Sequence, residues 1–133
     1  MQKINVTCAI IEQNDKILIT QRGANMEHPF KWEFPGGKIK QGETAIECIT
    51  REILEELQVV VIVSGELNTI YHSYPSKNIE LIPFVCQIQS GIPKVTEHSR
   101  MKWIDPGEIA AFTMLPADIP VHEAYCRYKN LCK

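Results

Sequence analysis

Glu52, Glu55 and Glu56 stand in the order E-x-x-E-E within Thr44–Leu57, the stretch that reads most clearly as a helix. At about 100° per residue their side chains share an arc of roughly 100°. Like charges three and four residues apart repel there by roughly a few tenths of a kcal/mol each. Arg51 is the one cation nearby, and on the helical wheel it projects elsewhere. A hard divalent cation would offset the repulsion, because magnesium prefers oxygen ligands and is commonly shared between carboxylates and substrate phosphates. An arbitrary acidic helix face is more often simply solvated. Context separates the two readings. The helix is preceded by Phe34-Pro35-Gly36-Gly37, whose glycines allow a tight turn and leave backbone carbonyls near the helix start as further oxygen ligands.

The elements that must position these groups follow from pattern. Thr44-Ala45-Ile46-Glu47 is a capping box, with a threonine for an orphan N–H and a glutamate three residues on to reach back. Ile46, Ile49, Ile53 and Leu57 recur at helical spacing and predict the buried stripe. Ile4–Ile11 and Lys16–Thr20 flank the turn signal Gln13-Asn14-Asp15 and predict a hairpin. Arg22–Lys31 reads as an exposed loop, and Pro35-Gly36-Gly37 as a stop to any regular element. Strands are expected over Val59–Ser64, Leu67–Ser73, Ile79–Gln89 and Met101–Ile104. A short helix is expected over Pro106–Phe112 and a longer one over Asp118–Lys129, with Pro120 in its first turn. Strands before, between and after helices, without strict alternation, predict an α+β fold: a mixed sheet between helices in an α/β/α sandwich. A chain of 133 residues is expected to form one domain, 1–133.

Composition excludes several functions. A net charge of -2 offers no clustered basic face, so long nucleic acid is not an expected partner, whereas a single nucleotide needs only a few local cations and a metal. The longest apolar run, Val59–Val63, is too short to cross a membrane, and the N-terminus carries no secretion signal. Cys8, Cys48, Cys86, Cys126 and Cys132 are scattered, without a C-x-x-C pair or zinc spacing, and read as buried thiols of a reducing compartment. A cytoplasmic home is expected by elimination.

The segment Gly37–Val59 resembles the Nudix box, G-x5-E-x7-R-E-U-x-E-E-x-G-U, where U is a bulky aliphatic residue. Gly37, Glu43, Arg51-Glu52-Ile53, Glu55-Glu56 and Val59 match, and Gln58 replaces the second glycine. A glycine there suits a left-handed cap, so glutamine should cost on the order of 1 kcal/mol without removing a ligand. The order of hairpin, Trp32–Gly37, box helix, strands, Trp103 and Pro116-Ala117-Asp118-Ile119-Pro120 is similar to the MutT-type branch, and to bacterial CTP pyrophosphohydrolases in the last stretch. That resemblance implies Mg²⁺, or alternatively Mn²⁺, held by Glu52, Glu55, Glu56, the carbonyl of Gly36 and Glu97. It implies a supporting or catalytic role for Arg51 with Glu43, and Glu52 or Glu97 as general base. Arg22 and Lys38 would face phosphates, and Phe34 would lie among the substrate contacts. The implied reaction cleaves a nucleoside triphosphate at the β-phosphorus, giving the monophosphate and pyrophosphate.

Asp118 bears on the choice of base. It matches a position where MutT-type enzymes read the base edge, and an ionised aspartate only accepts hydrogen bonds, favouring bases that present donors. It could equally cap the final helix. Tyr71, Tyr74 and Phe84 are candidates for stacking, Trp32 and Trp103 for packing, and His72 and His98 lack metal-ligand spacing. CTP-like or oxidised guanine nucleotides lead as substrates. An ADP-ribose or dinucleotide hydrolase and a non-catalytic nucleotide sensor remain as alternatives, and the chain is expected to be a monomer or homodimer.

Overall fold

The computed structural model describes residues 2–131, so Cys132 lies outside the described residues. The first strand, β1 (Gln2–Gln13), turns at Asn14 and Asp15, both at positive φ (53° and 64°), into β2 (Lys16–Gln21). Asparagine and aspartate tolerate the left-handed region that such a hairpin turn demands. Next come β3 (Trp32–Glu33), β4 (Gly36–Lys38), helix α1 (Ala45–Leu57), β5 (Val60–Glu66), β6 (Ile70–Tyr74), β7 (Lys77–Ser90) and β8 (Arg100–Ile104). A 3₁₀ helix over Pro106–Ala111 and helix α2 (Asp118–Tyr128) complete the chain.

The sheet is mixed. β1 and β7 run parallel at its centre, in register from Gln2↔Lys77 to Glu12↔Gln87, and the other pairings between the described strands are antiparallel. Both faces of β1 are covered, which accounts for the unbroken apolar run Cys8–Ile11. Cys8 and Ile10 pack on the face with Trp32, Phe34, Val121 and Tyr125, whereas Ala9 and Ile11 pack on the face with Ile49, Ile53 and Leu57 of α1. β7 alternates likewise, with Leu81 and Val85 on one side and Phe84 and Cys86 on the other. The expected α/β/α sandwich is what forms.

Four local expectations are corrected. Gly36–Lys38 does not end regular structure: it is strand β4, paired antiparallel with β1 through Val6↔Lys38 and Cys8↔Gly36. A Cβ on Gly36 would run into the carbonyl oxygen of Thr7, so the glycine serves a close approach between two strands. The strand expected from Leu67 begins only at Ile70; Leu67 is buried and its amide bonds the carbonyl of Pro83. Ile46 is 52% exposed, and the buried stripe of α1 consists of Cys48, Ile49, Ile53 and Leu57. Facing the right way does not bury a residue in the first helical turn unless the core also extends beneath it. Asp118 does not cap α2, since Ala117 holds that position and no side chain caps it.

The capping box of α1 is complete, with Glu47 N–H donating to Thr44 Oγ1 (3.1 Å) and Thr44 N–H to Glu47 Oε1 (2.9 Å). At the other end Gln58 sits at φ 61°, ψ 31°, the left-handed cap its position in the box implied. Gln58→Gly should therefore stabilise the protein by about 1 kcal/mol, or a few degrees in Tm. Thermal unfolding measures this, and a Tm at or below that of the parent would refute it.

Candidate active site

β4 lies between β1 and the start of α1, and this sandwiching builds the acidic site. Thr7 Oγ1 of β1 donates to the carbonyl of Gly37 (3.2 Å), and Cys48 Sγ of α1 lies 3.4 Å from the carbonyl of Lys38 and 3.2 Å from Thr7 Oγ1. A Cβ on Gly37 would overlap the carboxyl of Glu52, so the second glycine makes room for the glutamate. The Gly36 amide donates to Glu56 Oε1 (3.1 Å), which turns that carboxylate toward β4.

Arg51 does not project away from the acidic arc. Its guanidinium donates to Glu43 Oε2 (2.6 Å) and Oε1 (3.0 Å), Glu52 Oε2 (2.8 Å), Glu55 Oε1 (3.1 Å) and the Lys38 carbonyl (3.2 Å). A long side chain with a planar fork reaches across the wheel position that its Cβ alone would assign. Arg51 holds the Glu43 carboxyl down to about 2. Glu56 is placed differently. Burial, then the nearby carboxylates of Glu33, Glu52 and Glu97, push it up to about 9. An acid in that state calls for a cation, and the oxygen donors around it suit a hard one. Among the described residues no three acidic, histidine or cysteine side chains converge on one point as they stand. Glu52 and Glu55 are drawn onto Arg51, and Glu55 and Glu97 are exposed.

A cavity of about 440 Å³ opens beside this cluster. Glu52, Glu56, Gly36, Gly37, Lys38, Arg22, Phe34 and Asp118 all line it, so most of the residues singled out from sequence share one space. Arg51, Glu55 and Glu97 are not among its lining residues. Of the aromatic candidates only Tyr74 lines it; Tyr71 is 73% exposed elsewhere, and Phe84 is buried against α1. Asp118 turns inward from the first turn of α2 and accepts the Phe34 amide on Oδ2 (2.8 Å). Burial, then the charge of Glu33, pushes its carboxyl up to about 8, so it is not the plain acceptor an ionised aspartate would be.

The sequence assigns no role to Glu33, and His98 is set aside there for want of metal-ligand spacing. Glu33 lines the cavity and accepts Arg22 Nη1 on Oε1 (2.8 Å) and His98 Nε2 on Oε2 (2.8 Å). Glu33 precedes the recognised turn and could have been read with it. His98 contacts it across 65 residues, a pairing that no spacing rule contains. The loop 22–31 is also less loose than expected: the amides of Arg22 and Phe30 bond the carbonyls of Lys31 and Arg22, and Arg22 Nε donates to the Glu27 carbonyl.

A parallel-centred mixed sheet between two helices, with a Pro-Gly-Gly strand feeding an acidic helix, defines a class. The model of the NUDIX domain matches residues 1–125, and the chain belongs to the Nudix family. Nudix hydrolases work with a divalent metal. The chain is 33% identical over 125 residues to the CTP pyrophosphohydrolase of Escherichia coli K12, covering 94% of this chain and 93% of that one. It is 30% identical over 122 residues to the 8-oxo-dGTP diphosphatase of the same organism, covering 91% and 95%. The solution structure of the E. coli ORF135 protein superposes with a TM-score of 0.84 at 31% identity, over 97% of this chain and 92% of the other.

The raised carboxyls make stability depend on pH. Asp118 ordinarily titrates near 3.8 and Glu56 near 4.5, and both hold their protons more tightly in the folded state. Their contribution is complete at low pH and is lost as pH rises toward about 8 and about 9. Glu43 acts in the opposite sense, with its stabilisation lost only as pH falls from 4.5 toward about 2. The Tm of metal-free protein should fall from about pH 5 to about pH 8, and Asp118→Asn should flatten that fall. An unchanged slope in the variant would contradict the assignment.

Proposed function

We propose that the protein hydrolyses nucleoside triphosphates, CTP-like or oxidised guanine nucleotides, to a nucleoside monophosphate and pyrophosphate with Mg²⁺. The observation that carries this reading is the single cavity lined both by Glu52 and Glu56 and by Asp118 with the Phe34 amide beside it. One space thus offers oxygen donors for a cation and a polar edge for a base. The coverage of a CTP pyrophosphohydrolase and an 8-oxo-dGTP diphosphatase over almost their whole lengths supports the same reaction class.

In this reading Glu52, Glu55 and Glu56 hold the cation, with the Gly36 carbonyl and Glu97 as further oxygen donors. A bound divalent cation supplies neutralisation of the phosphates and acidification of a water. Arg51 pairs with Glu52 and Glu55 and offsets their charge, and the two carboxylates would turn from it to reach a bound cation. Arg22 and Lys38 place positive charge on the cavity wall against the triphosphate, and Glu33 fixes the direction of Arg22. Glu52 or Glu97 accepts the proton of the attacking water. Asp118, with its raised proton affinity, offers an O–H as well as an acceptor, and so meets cytosine N3 and its 4-amino group together. An ionised carboxylate would face the N3 lone pair with its own. Tyr74, beside the same cavity, provides an aromatic wall.

The test is turnover of a panel of canonical and damaged nucleoside triphosphates with Mg²⁺ in ¹⁸O-labelled water. Pyrophosphate should be released with the label in the pyrophosphate, as attack at the β-phosphorus requires. Glu55→Gln should lower kcat on the order of a thousandfold while the fold persists. Nucleotide binding without pyrophosphate release from any panel member would overturn the hydrolase reading, and label in the monophosphate alone would overturn β-attack.

A further inference from the structure

His98 is the one described residue with a buried side-chain nitrogen or oxygen that lacks a hydrogen-bond partner, its Nδ1. The residue is 5% exposed and does not line the cavity. Such an orphan needs a reason, because an apolar side chain could occupy comparable space with no unpaired nitrogen. The reason lies on the other side of the ring. Nε2 is 2.8 Å from Glu33 Oε2, and a carboxylate only accepts, so a proton is assigned to Nε2 and that bond directs the ring. Glu33 spends its other oxygen on Arg22 Nη1 at 2.8 Å.

The segment carrying His98 is docked closely on the strand end that carries Arg22. The Ser99 amide donates to the Gln21 carbonyl (2.9 Å), and Ser99 Oγ to Gln21 Oε1 (2.9 Å). A Cβ on Gly23 would meet the Glu97 carbonyl oxygen at 2.7 Å, so these two backbones leave little room between them. Glu33 itself is anchored in β3, whose backbone pairs with Thr20 of β2. The geometry points to His98 as a positioning residue for substrate binding: it clamps Glu33 from behind the cavity wall, and Glu33 in turn aims Arg22 into the cavity. His98 touches no substrate and acts through two side chains. Without it Glu33 has one donor in place of two, and Arg22 is left with a loosened carboxylate at Nη1 while Nε stays on the Glu27 carbonyl.

This inference rests on the reading of Arg22 as a phosphate contact, and its test separates the two. In glutamine the amide nitrogen reaches about where His98 Nε2 stands, whereas in asparagine it reaches only about as far as Nδ1. His98→Gln should therefore restore the clamp and His98→Asn should lose it, although both are buried amides. With CTP and Mg²⁺, His98→Asn should raise KM about tenfold while kcat stays within about twofold, and His98→Gln should keep KM within about threefold of the parent. Equal KM values for the two variants, or a loss confined to kcat, would overturn the proposal whatever their Tm. The ¹H–¹⁵N signal of Arg22 Nε–H reads the clamp with no substrate present: it should move in His98→Asn and not in His98→Gln. If the parent protein turns over no nucleotide, the hydrolase reading fails. The Arg22 signal then decides the clamp by itself, and identical positions in both variants would refute it.

Discussion

Carboxylates crowded against a glycine strand are the condition on which the rest of the site depends. Glu52 occupies the space that a Cβ on Gly37 would take, Glu56 accepts the amide of Gly36, and Gly36 itself touches β1. Backbone and acid are thus interleaved, and neither can shift without the other. The electrostatic cost of the arrangement is divided. Arg51 offsets the outer acids Glu43, Glu52 and Glu55, while Glu56 retains its proton to about pH 9. A divalent cation held at this cluster would complete what the arginine begins.

The segment that ends in this strand serves both the acidic helix and Asp118. The chain from Trp32 to Lys38 contributes Glu33 and Phe34 beside Asp118, and Gly36 and Gly37 beside the acidic helix, within a few residues. Glu33 raises the proton affinity of both Glu56 and Asp118. One carboxylate, held by Arg22 and His98, thus acts on both acids.

The helix, its capping box, its three glutamates and the left-handed Gln58 were legible in the sequence, because each is a local pattern within four or five residues. The mixed sheet between helices followed from the order of elements. What was not legible depended on distant partners or on reach. Strand β4 looked like a terminator, since Pro-Gly-Gly stops a chain unless a neighbouring strand needs glycine for close approach. A helical wheel misplaces Arg51 because it tracks Cβ directions and ignores the length of side chain beyond them. Asp118 and Phe34 meet across 84 residues, and His98 and Glu33 across 65, so neither contact leaves a spacing to read.

A divalent cation is expected to take the place of a proton within the carboxylate cluster. Metal-free protein titrated calorimetrically with Mn²⁺ or Mg²⁺ at about pH 7.5, in two buffers of different ionisation enthalpy, counts the protons set free. About one proton should be released per ion bound, and this release should be lost in Glu56→Gln. Binding with no proton released, or the same release from the variant, would contradict it.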